Sequence, residues 1–285
     1  MPSNTRRDFL KVAAATTGSA GLVGAATFAP ALTADAATSN ATANHSLLDD
    51  IVHSGVLRVG MALQYPPLAY IDKSTNKPSG YSVELLQQMA TDLNVKLNYL
   101  NVDFASLIPA LVSGKVDILF NGHSATPQRE LAVEFTDPII TYNEVLCIPA
   151  HSTVLALSDL NNPSKTITSQ LGTTQEVASK LLFPKAKQVT LADQQTALLQ
   201  VATGRADATI LDSFTAVPYV KAHAGQLKIF NNQILYAEVG SAVIRPYDQR
   251  FLNFLNAWLR WYNGTAFIPL TYKKWFVPVE GVLHG

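Results

Sequence analysis

The sequence predicts an α/β fold built as two similar lobes. Three observations carry that reading. Short apolar, strand-like runs alternate with amphipathic helical stretches along most of the chain, the pattern of parallel α/β units. A segment of the first half is echoed in the second half. The 285 residues, 48% of them hydrophobic, suffice for one large core or two smaller ones.

Each element follows from its local pattern. Val56-Leu57-Arg58-Val59-Gly60 reads as a strand. Ser82 to Leu93 reads as a helix, with Val83, Leu86 and Ala90 on one face and a capping start near Ser82. Lys96 to Val102 is a strand, Phe104 to Ser113 a short helix, and Val116 to Phe120 a buried strand that ends at Asn121-Gly122. A new apolar run begins at Val145 and reaches Ile148. Thr166 to Thr168, Gln188 to Thr190 and Ala208 to Leu211 are strands, separated by helices over Gln175 to Leu182 and Gln194 to Thr203.

The echo joins the two halves. Leu107 to Val112 leads into Ser113-Gly114-Lys115-Val116-Asp117 and a strand, and Leu198 to Ala202 leads into Thr203-Gly204-Arg205-Ala206-Asp207 and another. Both read as helix, glycine C-cap, basic residue, strand. Helix-to-strand connections often share this form, so the alternative is coincidence. The second strand ends at Asp212-Ser213. Ligands of open α/β sheets sit beyond the carboxyl ends of strands, so both strand ends aim at one shared cleft.

Formal net charge is zero, which argues against a nucleic-acid partner or an electrostatic membrane surface. Cys147 is the single cysteine, so no internal disulfide or cysteine-based metal cage can form. The histidines show no metal-ligand spacing, and no metal or cofactor is expected. At the N-terminus, Arg6-Arg7-Asp8-Phe9-Leu10-Lys11 precedes an apolar stretch, Val12 to Leu32, and the cleavage-type triplet Ala34-Asp35-Ala36. Residues 1–36 therefore read as an export signal resembling the twin-arginine type, with 37–44 a flexible leader. The alternative, a membrane anchor, fits poorly because Gly, Thr and Pro interrupt the apolar run. Without residues 1–36 the net charge is −1, and the expected location is the periplasm.

The stretch LFNGHSATPQREL, residues 119–131, concentrates the candidate chemistry. Thr126-Pro127 opens a helix, with Thr as N-cap and Pro in the first turn. Arg129 then lies where a helix dipole disfavours a cation, which suggests an anion between the helix end and the guanidinium. Across the cleft, Gly172-Thr173-Thr174 opens another helix and Asp212 ends a strand. A zwitterion suits this set: a carboxylate in the planar fork of Arg129 and an ammonium on Asp212.

Six segments in this order and spacing carry a resemblance: LRVGMALQYPPLAY (57–70), GYSVELLQQMA (80–90), FASLIPALVSGKVDILFNGHSATPQRELAVEFTDP (104–138), QLGTTQE (170–176), GRADATILD (204–212) and YKKWF (272–276). The chain resembles the periplasmic amino-acid-binding proteins of ABC transporters, the group related to lysine/arginine/ornithine-, histidine- and glutamine-binding proteins. The resemblance implies two Rossmann-like lobes joined by a two-stranded hinge, the type II periplasmic binding protein arrangement. Lobe one would comprise 45–143 and 243–285, and lobe two 144–242. It implies a monomer that captures an amino acid between its lobes and delivers it to a permease at the inner membrane. Carried over residue by residue, Tyr65 and Phe104 would sandwich the ligand side chain. Gly122, Ser124 and Arg129 would hold the α-carboxylate, and Asn121, which departs from the residue commonest at that strand end, would offer a neutral hydrogen bond nearby. Thr174 would donate from lobe two, and Asp212 would accept the α-ammonium. Ala62 stands where binders of basic amino acids carry an acid, which points to a neutral ligand unless Glu144 or Glu238 reaches the cleft.

Each residue has a plainer alternative. Tyr65 packs a loop, Phe104 belongs to the core, Asn121 caps a strand, and Asp212 caps a helix. Arg129 pairs with Glu134 or Asp137. His123 alternates away from Gly122 and Ser124 and is expected to be buried packing. Cys147, near the expected hinge, reads as a small buried residue. The competing function is a dehydratase acting on a prephenate-like acid, since this fold also hosts such enzymes. Glu144 and Asp212 are the only acids placed near the cleft for that chemistry, no nucleophile has a neighbouring histidine, and no catalytic residue is assigned.

Overall fold

The structure, a computed structural model, describes residues 45–279. The expected export signal, leader and last six residues lie outside the described residues. Helix α1 (Leu47–Ser54) feeds β1 (Val56–Met61), followed by a small antiparallel ribbon of β2 (Gln64–Tyr65), β3 (Ala69–Asp72) and β4 (Lys77–Ser79). Then come α2 (Tyr81–Leu93), β5 (Lys96–Asn101), α3 (Phe104–Val112) and β6 (Ile118–His123). A single turn, α4 (Pro127–Glu130), leads into the 16-residue strand β7 (Glu134–Pro149). The second half runs β8 (Thr166–Gln170), α5 (Thr174–Leu182), β9 (Lys187–Leu191), α6 (Gln194–Ala202), β10 (Ala208–Asp212), α7 (Ser213–Ala222) and β11 (Leu227–Ile229). Strand β12 (Tyr236–Ile244) returns to the first half, which α8 (Gln249–Gly264) and α9 (Phe267–Phe276) complete.

The main sheet has the order β5-β1-β6-β12-β7-β10-β8-β9, with β11 added on β7. Its two ends share one topology. β1 pairs in parallel with β5 and β6, and β8 pairs in parallel with β9 and β10. Between them β7 and β12 run antiparallel, paired from Tyr236 opposite Glu144 to Ile244 opposite Glu134, with the register shifting after Gly240 and again after Ser241. These two long strands are the two-stranded hinge between Rossmann-like lobes. The buried side chains divide accordingly. One cluster gathers Leu57, Val59, Leu85, Phe120, Phe251 and their neighbours, and two smaller clusters gather on either face of β10 and β7, around Ile167, Phe183 and Ile210 and around Cys147, Leu198 and Leu211. No helix among the described residues is long and apolar enough to cross a membrane.

The echo is structural. Gly114 and Gly204 close α3 and α6 with φ of 74° and 71°, the left-handed region where glycine is favoured. Three residues on, Asp117 accepts the backbone N–H of Arg58 at 2.9 Å and Asp207 accepts that of Thr166 at 2.8 Å. Each aspartate also meets a neighbouring cation, Arg58 and Lys165 respectively. The Gly-basic-X-Asp pattern thus clamps the start of each first strand to the turn entering each third strand.

Several local expectations shift. Helix α2 starts at Tyr81, and its cap is Gly80 rather than Ser82, which is buried in the first turn. Gly80 has φ 120°, and a Cβ there would lie 2.7 Å from the carbonyl oxygens of Pro67 and Leu68. Strand β6 starts at Ile118, because Val116 and Asp117 form the clamp, and it runs on through Gly122 to His123. Gly122, at φ 64°, makes a kink inside the strand where Gly240 of β12 comes so close that a Cβ on Gly240 would meet the Gly122 carbonyl at 2.6 Å. Cys147 is buried in β7 among the second-half clusters.

Candidate functional site

One cavity opens where β6, the start of α5 and the end of β10 converge. All eight residues singled out from the sequence line it: Tyr65, Phe104, Asn121, Gly122, Ser124, Arg129, Thr174 and Asp212. Leu68, Tyr142, Gln170, Thr173, Gln175, Gln194 and Phe214 complete the wall. Arg129 is its one basic residue and Asp212 its one acidic residue.

Thr126 caps α4 as expected, accepting the N–H of Arg129 at 3.3 Å. The helix-dipole argument does not carry over, since four residues form one turn and give almost no macrodipole. The position of Arg129 is explained instead by its side chain. Its guanidinium donates to the carbonyl of Ser124 at 2.8 Å and to that of Gly172 at 2.9 Å, tying the loop after β6 to the loop before α5. Glu134 and Asp137 are engaged elsewhere, with Tyr247 and Arg260, and Arg129 forms no ion pair among the described residues. Burial lowers the pKa of Arg129, while Tyr142 and Glu238 oppose that effect. Two of five guanidinium N–H groups serve the carbonyls, which leaves donors for an anion.

Phe104 lies beneath the Arg129 guanidinium, 5.9 Å from it, and its ring stacks on His123 at 4.5 Å. His123 is buried with neither ring nitrogen hydrogen-bonded, and its pKa is pushed down to about 3 by burial and by Arg129. It is packing, as expected, and it backs the aromatic wall. Tyr65 and Phe104 meet edge to face, with centroids 6.2 Å apart at 83°. They therefore form one continuous wall rather than two parallel jaws. The Tyr65 hydroxyl donates to Gln170 at 2.6 Å across the cavity.

Asn121 faces the cavity, but its amide accepts from the Ala62 N–H at 2.9 Å and donates to the Ala62 carbonyl at 3.2 Å. It ties β6 to the end of β1, in line with the capping alternative. Asp212 starts α7 without capping it through its side chain. Its carboxylate instead accepts from Gln194 at 2.6 Å and Gln175 at 3.2 Å. Glu144, directly opposite Asp212 in the β7–β10 register, accepts from the same Gln175 at 2.7 Å but is fully buried behind it, outside the cavity wall. Burial first, then the Asp212 charge, holds the Glu144 carboxyl well above the usual range, and burial raises Asp212 to about 6.

Thr173 is the true N-cap of α5, and Thr174 is the first helical residue. The Thr174 hydroxyl donates to Glu238 at 2.9 Å. Ser124 and Tyr142 also bond Glu238, which reaches in from β12. Gln175 and Gln194 read from the sequence as helix starts only; they lie second in α5 and first in α6, after the N-caps Thr173 and Asp193. Tyr142 and Phe214 carry no local signal, because they meet the cavity only through the hinge and the packing of α7. Among the described residues no group of His, Cys, Asp and Glu could hold a metal ion.

A two-lobed sheet with one polar cavity between strand ends defines the solute-binding class of protein. The family model for bacterial extracellular solute-binding proteins, family 3, matches residues 57–278, and the chain belongs to that family. The arginine-binding extracellular protein ArtP of Bacillus subtilis is 29% identical over 222 residues, 77% of this chain and 86% of its own length. The crystal structure of the ancestral amino acid-binding protein AncCDT-1, a precursor of cyclohexadienyl dehydratase, is 34% identical, with a TM-score of 0.74 over 81% of this chain and all of that one. Cyclohexadienyl dehydratase of Pseudomonas aeruginosa is 25% identical over 253 residues, 87% of this chain and 93% of its own.

Proposed function

We propose that the protein captures one amino acid in this cavity and delivers it to an ABC-transporter permease at the inner membrane. The observation that carries the reading is the single cavity wall with one cation, Arg129, one carboxylate, Asp212, and an aromatic face beside them. An α-carboxylate would take the free guanidinium donors, with Gly122, Ser124 and Thr174 around it. An α-ammonium would take Asp212, which the two glutamines hold in place. Each charged hydrogen bond contributes about 1.5–3 kcal/mol, and a few of them give micromolar binding, about −8 kcal/mol. Lobe one is assigned to 45–143 and 243–285 and lobe two to 144–242, with β7 and β12 crossing between them.

The ligand side chain is proposed to be neutral. Asp212 is the only acid in the wall and is taken by the α-ammonium, and Glu238, which reaches in from β12, is engaged by the hydroxyls of Ser124, Thr174 and Tyr142. Ala62 is buried behind Asn121, and Glu144 lies behind Gln175. A buried cation without a partner costs several kcal/mol. A calorimetric panel of the common amino acids tests this: neutral ligands bind most tightly, and lysine or arginine binding at least as tightly would overturn it. Export through the N-terminal signal, a periplasmic location and a monomeric state complete the proposal.

The dehydratase reading draws on the likeness to cyclohexadienyl dehydratase and on Asp212, a cavity carboxyl raised toward neutrality. Against it, Asp212 is the one carboxyl in the cavity wall, and Glu144, which would complete a general acid–base pair with it, is screened from the cavity. Phenylpyruvate absorbance after addition of prephenate separates the two: none is expected.

A further inference from the structure

Glu238 has no role in the scheme above, yet its carboxylate touches two of the residues assigned to the ligand. One oxygen, Oε2, accepts from Ser124 Oγ, from Thr174 Oγ1 at 2.9 Å and from Tyr142 OH at 3.2 Å. The three donors come from three places: the loop after β6, the first turn of α5, and the hinge strand β7. Glu238 itself stands opposite Tyr142 on the paired hinge strand β12. None of the ion pairs among the described residues includes it, and its negative charge acts instead on Arg129, Asp212 and Glu144 through space.

We propose that Glu238 is an internal carboxylate that holds the donors of the ligand's carboxylate subsite and is exchanged for the ligand's own carboxylate on binding. The proposal rests on the amino-acid reading above. Proton counting makes the two occupants exclusive. The hydroxyls of Ser124 and Thr174 each have one proton to donate, so each can serve one carboxylate at a time. The two negative groups also repel at close range. Glu238 thus has three effects. It keeps the hydroxyls oriented and Arg129 electrostatically compensated before capture. It sets the affinity, since every ligand must displace it. It also favours ligands that bring a carboxylate of their own, because only an anion replaces what leaves.

The test uses the full mature chain, wild type and Glu238→Ala. In calorimetry with neutral amino acids, Glu238→Ala binds at least about tenfold more tightly than wild type. Unchanged or weaker binding overturns the proposal, because Glu238 would then be a bystander or a ligand contact. A second arm needs no amino acid. Sodium acetate, compared with chloride at equal ionic strength, raises the melting temperature of Glu238→Ala, whose subsite is open to an external carboxylate, and leaves wild type unchanged. Equal responses of the two proteins overturn the proposal. If no amino acid binds either protein, the amino-acid reading fails and the acetate arm alone decides the role of Glu238.

Discussion

Arg129 and Asp212 bear opposite charges on one wall, and the structure treats them differently. Arg129 donates to two carbonyls and lies over an aromatic ring, but it is only half-buried and water can replace it at the exposed Gly172 carbonyl, so its loss costs the fold little. Arg129→Ala should weaken every amino-acid ligand alike, by at least about a hundredfold for two charged hydrogen bonds. The melting temperature of the unliganded protein should fall only slightly. A large fall with unchanged affinity in calorimetry would make Arg129 a structural residue instead. Asp212 is held against its solvation preference. Burial raises its carboxyl to about 6, above an unfolded value of about 3.9. The folded state therefore binds the proton more tightly, and the strain is absent at low pH and grows as pH rises from about 4 through 6. Asp212→Asn should raise the melting temperature of the unliganded protein at pH 8, match wild type near pH 4, and abolish ligand binding. A lower melting temperature at pH 8 would show that the carboxylate stabilises the fold.

At the scale of elements, the repeated Gly-basic-X-Asp clamp is the feature that the sequence made most visible. The two clamps differ in burial: Asp117 is 2% exposed, whereas the side chains of Asp207 and Lys165 are about a third exposed. Removing Asp117 strips the part-buried backbone N–H and guanidinium of Arg58 of their acceptor, so Asp117→Ala should cost about 2 kcal/mol, and Asp207→Ala about 1 kcal/mol. Urea denaturation checks the order, and equal losses would contradict it. The α/β alternation was legible because each unit is set by local periodicity and a glycine stop. The ribbon β2–β4 was not, because its strands have two to four residues and no alternation to count. Nor was the first half of β7, where Pro138 and charged residues break the pattern that long-range pairing with β12 restores. The eight site residues reached one cavity because strand ends and helix starts face the cleft in this topology. The rearrangement of detail, Asn121 on Ala62 and Glu238 on Ser124 and Thr174, depends on contacts across 59 to 114 residues, which no local pattern reports.

At the scale of the molecule, β7 and β12 are the two crossing strands, and the cavity lies beside them. A ligand that touches Arg129 and Asp212 at once supplies the differential contacts that favour a closed arrangement of the lobes. Small-angle scattering should give a smaller radius of gyration at saturating ligand, and an unchanged radius would contradict closure. Occupancy of the cavity by an amino acid is the decisive quantity. Native mass spectrometry of the protein, before and after addition of an equimolar mixture of the common amino acids, measures it directly. One adduct per chain is expected, with the mass of a neutral amino acid and absent in Arg129→Ala. No adduct with any amino acid, in a protein that remains folded, would contradict it.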